Sequence, residues 1–205
     1  MKKLFTVLLT LLLLSLTACR RDIVTDDKPV IYLYPETETQ VTVTLDYDGV
    51  LTSAYPAYED GWTVTAQPDG TLTDADGRTY YCLFWEGESG CEYDFSQGFC
   101  VAGRDTAPFL EDALAQLGLT EKEANEFIIY WLPRMEHNTY NLISFQSDCY
   151  TDSAALHIDP APDSMLRIFM AWQALDKAVD VPTQPLPAFT RSGFTVVEWG
   201  GAQVK

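Results

Sequence analysis

Apolar and polar positions follow two different spacings in the first hundred residues. Residues 30–34 form a continuous apolar run that stops at Pro35, whereas residues 40–47 alternate between apolar and polar side chains. A continuous run is typical of a strand buried on both faces, and alternation is typical of a half-exposed strand. Asp-Gly pairs, which favour tight turns, follow at 48–49, 60–61, 69–70 and 76–77. The pattern therefore predicts an N-terminal antiparallel β-meander.

The spacing becomes helical in the middle of the chain. Five apolar residues recur every three or four positions before Gly118, namely Phe109, Leu110, Ala113, Leu114 and Leu117. Thr120 and Glu123 match a capping box, and an apolar stripe follows over residues 124–132. Pro133 is expected to stop or kink this second helix, because its ring crowds the carbonyl four residues earlier. Two adjacent helices are thus predicted.

Strand-like segments return in the last third of the chain, and a proline-rich segment over residues 181–187 is expected to run extended along the surface. The predicted strands cover residues 140–145, 154–158, 165–172 and 194–199. Strands, then two helices, then strands indicate an α+β fold. We expect a mainly antiparallel sheet, with the N-terminal β-meander, the C-terminal strands and the central pair of helices packed on one face. Residues 29–205 are predicted to form a single α+β domain.

The N-terminus carries a different kind of apolar segment. Lys2 and Lys3 precede an uninterrupted apolar run over residues 4–16, which is too short to span a membrane as a helix of about 20 residues. The sequence Leu16-Thr17-Ala18-Cys19 resembles the lipobox of bacterial lipoproteins. An ordinary secreted protein or an uncleaved anchor remains the alternative.

The lipobox resemblance implies a location. It implies that residues 1–18 are a removed signal peptide, that Cys19 carries a diacylglycerol and that residues 19–28 form a lipidated tether. The expected location is therefore the cell membrane or envelope, on the extracytoplasmic face. The membrane is the partner that the lipid on Cys19 reaches.

Charge and cysteine content limit the partners and the redox chemistry. The formal net charge is −17, which argues against a nucleic-acid partner, because binding phosphates requires clustered cations. Four cysteines remain besides Cys19: Cys82, Cys91, Cys100 and Cys149. Outside the cytoplasm they are compatible with two disulfides in any of three connectivities, or with free thiols.

Catalytic and metal-binding patterns are weak. His137 and His157 do not have the spacing of a zinc site, so neither a metal nor a cofactor is predicted. Glycoside hydrolysis requires two carboxylates, one with a raised pKa. The candidates that neighbour a tryptophan are Glu86, Glu88 and Glu198. Cys100 is a conceivable nucleophile, although a disulfide or a buried thiol is the preferred interpretation.

The aromatic loop over residues 55–62, which contains the second Asp-Gly pair, is the better candidate for ligand binding. Tyr55, Tyr58 and Trp62 lie close in sequence to Glu59 and Asp60. Rings that point outward can stack on a sugar or a cation, and the carboxylates can add hydrogen bonds. Rings that point inward would belong to the core, as the average burial of Trp and Tyr favours.

Three phrases resemble a family of uncharacterised bacterial proteins. They begin at Lys28 (Lys-Pro-Val-Ile-Tyr-Leu-Tyr-Pro), Tyr55 (Tyr-Pro-Ala-Tyr-Glu-Asp-Gly-Trp) and Phe194 (Phe-Thr-Val-Val-Glu-Trp-Gly-Gly). The resemblance supports one domain and implies no activity. The expected function is a lipid-anchored binding or interaction module for a glycan, a peptide or a protein. The alternatives are a hydrolase of cell-wall or extracellular polymers and a structural envelope component.

Overall fold

The computed structural model describes residues 24–146 and 148–204. The predicted signal peptide, the Leu16-Thr17-Ala18-Cys19 motif and the first part of the predicted tether lie outside the described residues. Among the described residues, no helix combines the length and the apolar character needed to cross a membrane.

Twelve strands and three helices are formed in this part of the chain, with a short 3₁₀ turn at Gly103–Asp105. The first six strands are β1 (Val24–Tyr34), β2 (Thr39–Tyr47), β3 (Gly49–Tyr55), β4 (Trp62–Ala66), β5 (Leu72–Thr73) and β6 (Thr79–Tyr80). The others are β7 (Leu83–Ser89), β8 (Phe99–Ala102), β9 (Tyr140–Gln146), β10 (Ala154–Asp159), β11 (Ser164–Leu175) and β12 (Thr195–Gln203). The helices are α1 (Thr106–Leu117), α2 (Glu121–Met135) and α3 (Asp148–Ser153).

The predicted α+β fold class is wrong, because the structure is mostly β and resembles a two-sheet sandwich. A seven-stranded sheet has the order β3-β7-β1-β12-β11-β9-β8, and a five-stranded sheet has the order β10-β2-β4-β5-β6. The expected meander is divided between them, since β3 and β7 join the larger sheet while β2, β4, β5 and β6 join the smaller one. Alternation of side chains shows which residues are buried, but it does not specify the strand that each pairs with.

Two apolar cores lie on opposite faces of the seven-stranded sheet. The first fills the space between the sheets and includes Ile31, Trp62 and Trp85. The second lies on the outer face and includes Tyr32, Trp131 and other residues of α1 and α2. The layers are therefore the small sheet, the large sheet and a pair of helices. The helices cover only part of the outer face.

The Gly118 cap and the capping box predicted for the two helices are confirmed. Gly118 caps α1 with a φ of 101°, a left-handed conformation that glycine adopts without strain. Thr120 and Glu123 form the reciprocal bonds of the capping box at the start of α2. Helix α2 continues past Pro133 to Met135. This continuation keeps Arg134 in the helix, where its guanidinium contacts the Tyr130 ring.

Strand β1 is the central element for function. It pairs with β7 on one side and with β12 on the other. It begins at Val24, so residues 24–28 of the segment predicted as a tether belong to the sheet. Pairing with β7 stops after Asp26↔Gly87 and resumes at Val30↔Phe84. The residues between form a β-bulge.

Candidate ligand-binding site

The predicted aromatic loop does not expose its three rings together. Trp62 is only 3% exposed, lies in the core between the sheets and donates a hydrogen bond from Nε1 to the Pro56 carbonyl at 2.8 Å. The half-buried Tyr58 ring makes an edge contact with Trp62, and its hydroxyl accepts a bond from the Leu45 N–H at 2.9 Å. These two rings hold the loop onto the sheet.

The other members of the predicted site are accessible. Tyr55 is 64% exposed, at the end of β3, and its ring makes an edge contact with Tyr80 at 5.5 Å between centroids. Glu59 and Asp60 are exposed in the loop that leads to β4. Of the three predicted aromatic residues, Tyr58 and Trp62 therefore pack against the protein, and Tyr55 is exposed. Ligand binding by these residues stays a prediction.

Tyr55 belongs to a different surface, on the uncovered end of the seven-stranded sheet. It stands opposite Phe84 in the β3–β7 pairing, and Ser53 stands opposite Glu86. Side chains of directly opposed residues leave a sheet on the same face. Val50, in the same strand, is 66% exposed, so the helices leave this end of the sheet open.

The β-bulge of β1 brings two charged residues to this surface. Lys28 has a φ of 62°, and no other non-glycine residue in the described part of the chain has a positive φ. Its ammonium lies 5.1 Å from the centre of the Phe84 ring and 5.8 Å from that of Tyr130. Cation–π attraction therefore stabilises a backbone conformation that is costly for lysine.

Asp26 and Asp27 have different environments on either side of the same strand. Asp26 is fully buried and accepts bonds from the Tyr47 hydroxyl, at 2.6 Å, and from the Tyr93 hydroxyl. Burial raises the pKa of its carboxyl. Asp27 is half-buried, and burial, followed by the charge of Glu86, raises its pKa to about 6.

Helix α2 completes the surface with a ring and a cation. The Arg134 guanidinium lies 3.9 Å from the centre of the Tyr130 ring, and its Nη1 donates to the Tyr130 carbonyl. Arg134 is exposed, and its charge lowers the pKa of Asp27 in part. We call this surface the open face; its sheet residues are Asp27, Lys28, Tyr55, Phe84 and Glu86. Tyr130 and Arg134 of α2 border it.

Sequence reasoning missed most of the open face. Asp27 and Lys28 were assigned to the tether, and Phe84 only to a strand. Glu86 was named as a carboxylate beside Trp85, but nothing paired it with Asp27. The sequence feature that could have indicated this surface is the charged pair Asp27-Lys28, directly before Pro29 and a buried strand. Such a junction favours a β-bulge.

Two other predicted catalytic residues, Glu198 and Cys100, lie apart from the open face. Glu198 is fully buried, 2.7 Å from Arg167 Nε and 3.2 Å from Trp85 Nε1. Cys100 Sγ accepts a hydrogen bond from the Val179 N–H at 3.4 Å. Glu88 is exposed two residues beyond Glu86 in β7, on the same face of the sheet and opposite Val50.

The histidines and the remaining cysteines do not assemble a further centre. His137 contacts Glu136 at 3.6 Å after α2, and His157 stands opposite Thr44 in the small sheet. Within residues 24–146 and 148–204, no group of three or more His, Cys, Asp or Glu side chains is placed to hold a metal ion. One disulfide joins Cys91 to Cys149, while Cys82 and Cys100 are free.

Replacing Asp27 with Asn is expected to stabilise the folded protein at neutral pH. The folded-state pKa of about 6 exceeds the ordinary 3.8, so ionisation of this carboxyl opposes folding. The contribution of protonated Asp27 is complete below the ordinary pKa and is lost as the pH rises through 6. Asparagine avoids this loss, and we expect a gain of about 1 kcal/mol at pH 7, a value discounted for the partial exposure of Asp27.

Urea denaturation of the wild type and of Asp27→Asn at pH 7 and pH 3.5 measures this gain. It should be present at pH 7 and absent at pH 3.5. Glu88→Gln, on the exposed part of β7, is the matched control and should change little at either pH. An equal gain at both pH values would show that the carboxyl is not under electrostatic stress.

Comparison with known proteins gives one relative of undefined activity. Over 65 residues the chain is 40% identical to the "Uncharacterized protein in bglA 3'region" of Butyrivibrio fibrisolvens; the match covers 31% of this chain and 68% of that protein. No protein-family profile matches the chain. No solved structure matches it either.

Proposed function

The chain belongs to the same bacterial family as the Butyrivibrio fibrisolvens protein, and from that premise we propose that it is a lipid-anchored envelope protein that binds a glycan at its open face. One observation carries this proposal. The exposed Tyr55 ring and the Glu86 carboxylate lie on one face of the large sheet, and α2 adds the Arg134 guanidinium at its border.

The chemistry of this surface suits a sugar. The Tyr55 ring offers a flat apolar surface on which the C–H face of a pyranose can stack. Asp27 and Glu86 supply acceptors for hydroxyl groups, and Arg134 supplies donors. Lys28 is already held by two rings, so little side-chain entropy remains to be lost around it when a ligand binds.

Location and charge narrow the type of glycan. The resemblance of Leu16-Thr17-Ala18-Cys19 to a lipobox supports attachment through diacylglycerol, and two acyl chains hold a protein stably on a bilayer. A net charge of −17 repels polyanions. A neutral or amino-substituted glycan of the envelope is therefore the ligand class that we propose.

A glycan array probed with the full-length protein in detergent micelles tests the proposal. We expect selective binding, weakened about tenfold by Tyr55→Ala, which corresponds to about 1.4 kcal/mol of lost stacking. Tyr81→Ala is the matched control, because Tyr81 is also exposed but lies beside Lys122 at the start of α2. Absence of glycan binding, or equal effects of the two variants, would reject the open face as the site.

A further inference from the structure

We propose that the cavity under the proline-rich segment is a second binding site, which holds an apolar side chain of an extended peptide whose main chain pairs with the free edge of β11. This site is distinct from the open face, and the inference does not depend on glycan binding. The cavity has a volume of about 450 Å³ and opens to solvent. This volume lies within the range of about 300–1,000 Å³ that is usual for ligand pockets.

The cavity is lined mainly by apolar side chains from three parts of the fold. Side chains of β9 and β11 on the outer face of the large sheet, the end of α1 and residues 185–189 all contribute. The large apolar side chains among them are Leu117, Phe145, Leu166, Ile168, Leu186 and Phe189. Burial of a charge without a partner is costly. The occupant that these walls favour is therefore an aliphatic or aromatic group.

The segment that covers the cavity is held at both ends. The Gln184 amide donates to the Phe145 carbonyl at 2.6 Å and accepts from the Phe145 N–H at 2.8 Å. At the other end, Arg191 forms an ion pair with Glu123 and donates to the Gly118 carbonyl at 3.0 Å. The cavity is thus formed before a ligand binds. A pocket with ordered walls loses less conformational entropy on binding.

A strand edge adds main-chain polar groups to the cavity. β11 pairs with β12 from Ser164, but it pairs with β9 only from Phe169 onward. Within the described residues, the part of β11 from Met165 to Ile168 therefore has a neighbouring strand on one side only. Arg167 lines the cavity, although its side chain turns to the space between the sheets and pairs there with Glu198. We therefore attribute the contribution of Arg167 to its main chain.

A free strand edge beside an apolar cavity favours a peptide over other apolar ligands. An extended peptide adds to such an edge through main-chain hydrogen bonds, which supply affinity. Successive side chains of the added strand point to opposite faces of the sheet, so that one of them can enter the cavity while its neighbours point away. The cavity then selects an apolar residue at that position. The hydrocarbon chain of a lipid has no groups that could bond to the edge.

The position of the cavity in the sheet also argues against an acyl chain of the bilayer as the occupant. Through β12, the register aligns Met165–Ile168 with Val30–Leu33 of β1. Six strand residues separate Val30 from the start of β1 at Val24, which amounts to about 20 Å. The cavity therefore lies away from the end of β1 that leads to Cys19. The net charge of −17 disfavours acidic peptides, so we expect a neutral or basic one.

Selection from a random peptide library tests this inference. The full-length protein in phospholipid nanodiscs is exposed to hexapeptides displayed on phage, and the recovered sequences are synthesised and titrated by fluorescence anisotropy. We expect neutral or basic peptides that share an aliphatic or aromatic residue at one position. Replacement of that residue by alanine should weaken binding about tenfold or more, because the burial of a large apolar side chain is lost.

A substitution that fills the cavity identifies the site. Ala188 lines the cavity and is exposed, so Ala188→Trp adds a ring there without replacing a core side chain. Peptide affinity should fall about tenfold or more in this variant. Thr190→Trp is the matched control and should bind normally, because Thr190 is exposed in the same segment but does not line the cavity. Circular dichroism shows whether each variant is folded.

Methylation of the peptide main chain separates strand pairing from simple apolar contact. N-methylation of the amides on both sides of the apolar residue removes two donors and should weaken binding by more than tenfold. An unchanged affinity would overturn the pairing, as would binding of palmitic acid without binding of any peptide. Recovery of no peptide, or equal effects of Ala188→Trp and Thr190→Trp, would reject the site. Glycan binding through Tyr55 should be the same in Ala188→Trp, so the failure of either proposal leaves the other standing.

Discussion

Replacing Arg167 with Met is expected to lower the free energy of unfolding by about 3–5 kcal/mol. Arg167 and Glu198 form an ion pair between the sheets, with 2.7 Å from Nε to Oε2, and Glu198 is fully buried. Removal of the arginine leaves the carboxylate in a low-dielectric environment, where the Trp85 Nε1 bond, 3.2 Å long, does not neutralise its charge. The cost is therefore dominated by an uncompensated charge and only secondarily by the lost attraction.

A double-mutant cycle with Glu198→Leu tests this explanation. The double variant Arg167→Met/Glu198→Leu removes both charges, and we expect it to be more stable than either single variant. Chemical denaturation followed by circular dichroism gives the four unfolding free energies. If the losses of the single variants simply add in the double variant, the pair is not coupled and the explanation fails.

Loss of the Cys91–Cys149 disulfide is the second large effect that we expect. The two cysteines are 58 residues apart in sequence and join the segment after β7 to helix α3. Closing a loop of this length restricts the unfolded chain, and the entropy model gives about 4 kcal/mol. Cys91→Ala/Cys149→Ala should unfold at a correspondingly lower urea concentration than the oxidised wild type.

A reducing agent provides the control for this prediction. Dithiothreitol should destabilise the wild type toward the level of the double variant and should leave the double variant unchanged. Cys100→Ala should keep the sensitivity to reduction, because Cys100 is free. Equal stability of the wild type with and without reductant would contradict the expected contribution of the disulfide.

Features set by a few neighbouring residues could be predicted from the sequence. The Thr120–Glu123 capping box and the cap at Gly118 depend on contacts within one helical turn, and both are present. The strand from Val30 to Tyr34 also lies where its apolar run indicated. These elements are correct because their energetics are local.

Features that depend on strand pairing could not be predicted. Lys28 and Phe84 are far apart in sequence and come into contact only because β1 pairs with β7, while β2 to β6 are shared between two sheets. An alternating strand buries the same side chains with many possible partners. The fold class was wrong for this reason.

The burial of the Trp62 side chain could have been predicted from the sequence. Trp62, Val64 and Ala66 alternate with two threonines, and all three are buried while Thr63 is exposed. In a strand, side chains two positions apart lie on the same face. The alternation therefore assigned the tryptophan to the core, whereas Tyr55, before Pro56, was not constrained by that strand.

The short segment between Cys19 and strand β1 limits the distance of the open face from the membrane. The eight residue steps from Cys19 to Asp27 span at most about 30 Å in a fully extended chain. With a lipid on Cys19, Asp27 would therefore lie within that distance of the bilayer. Under the proposed function, we therefore expect only glycans that come this close to the membrane to bind.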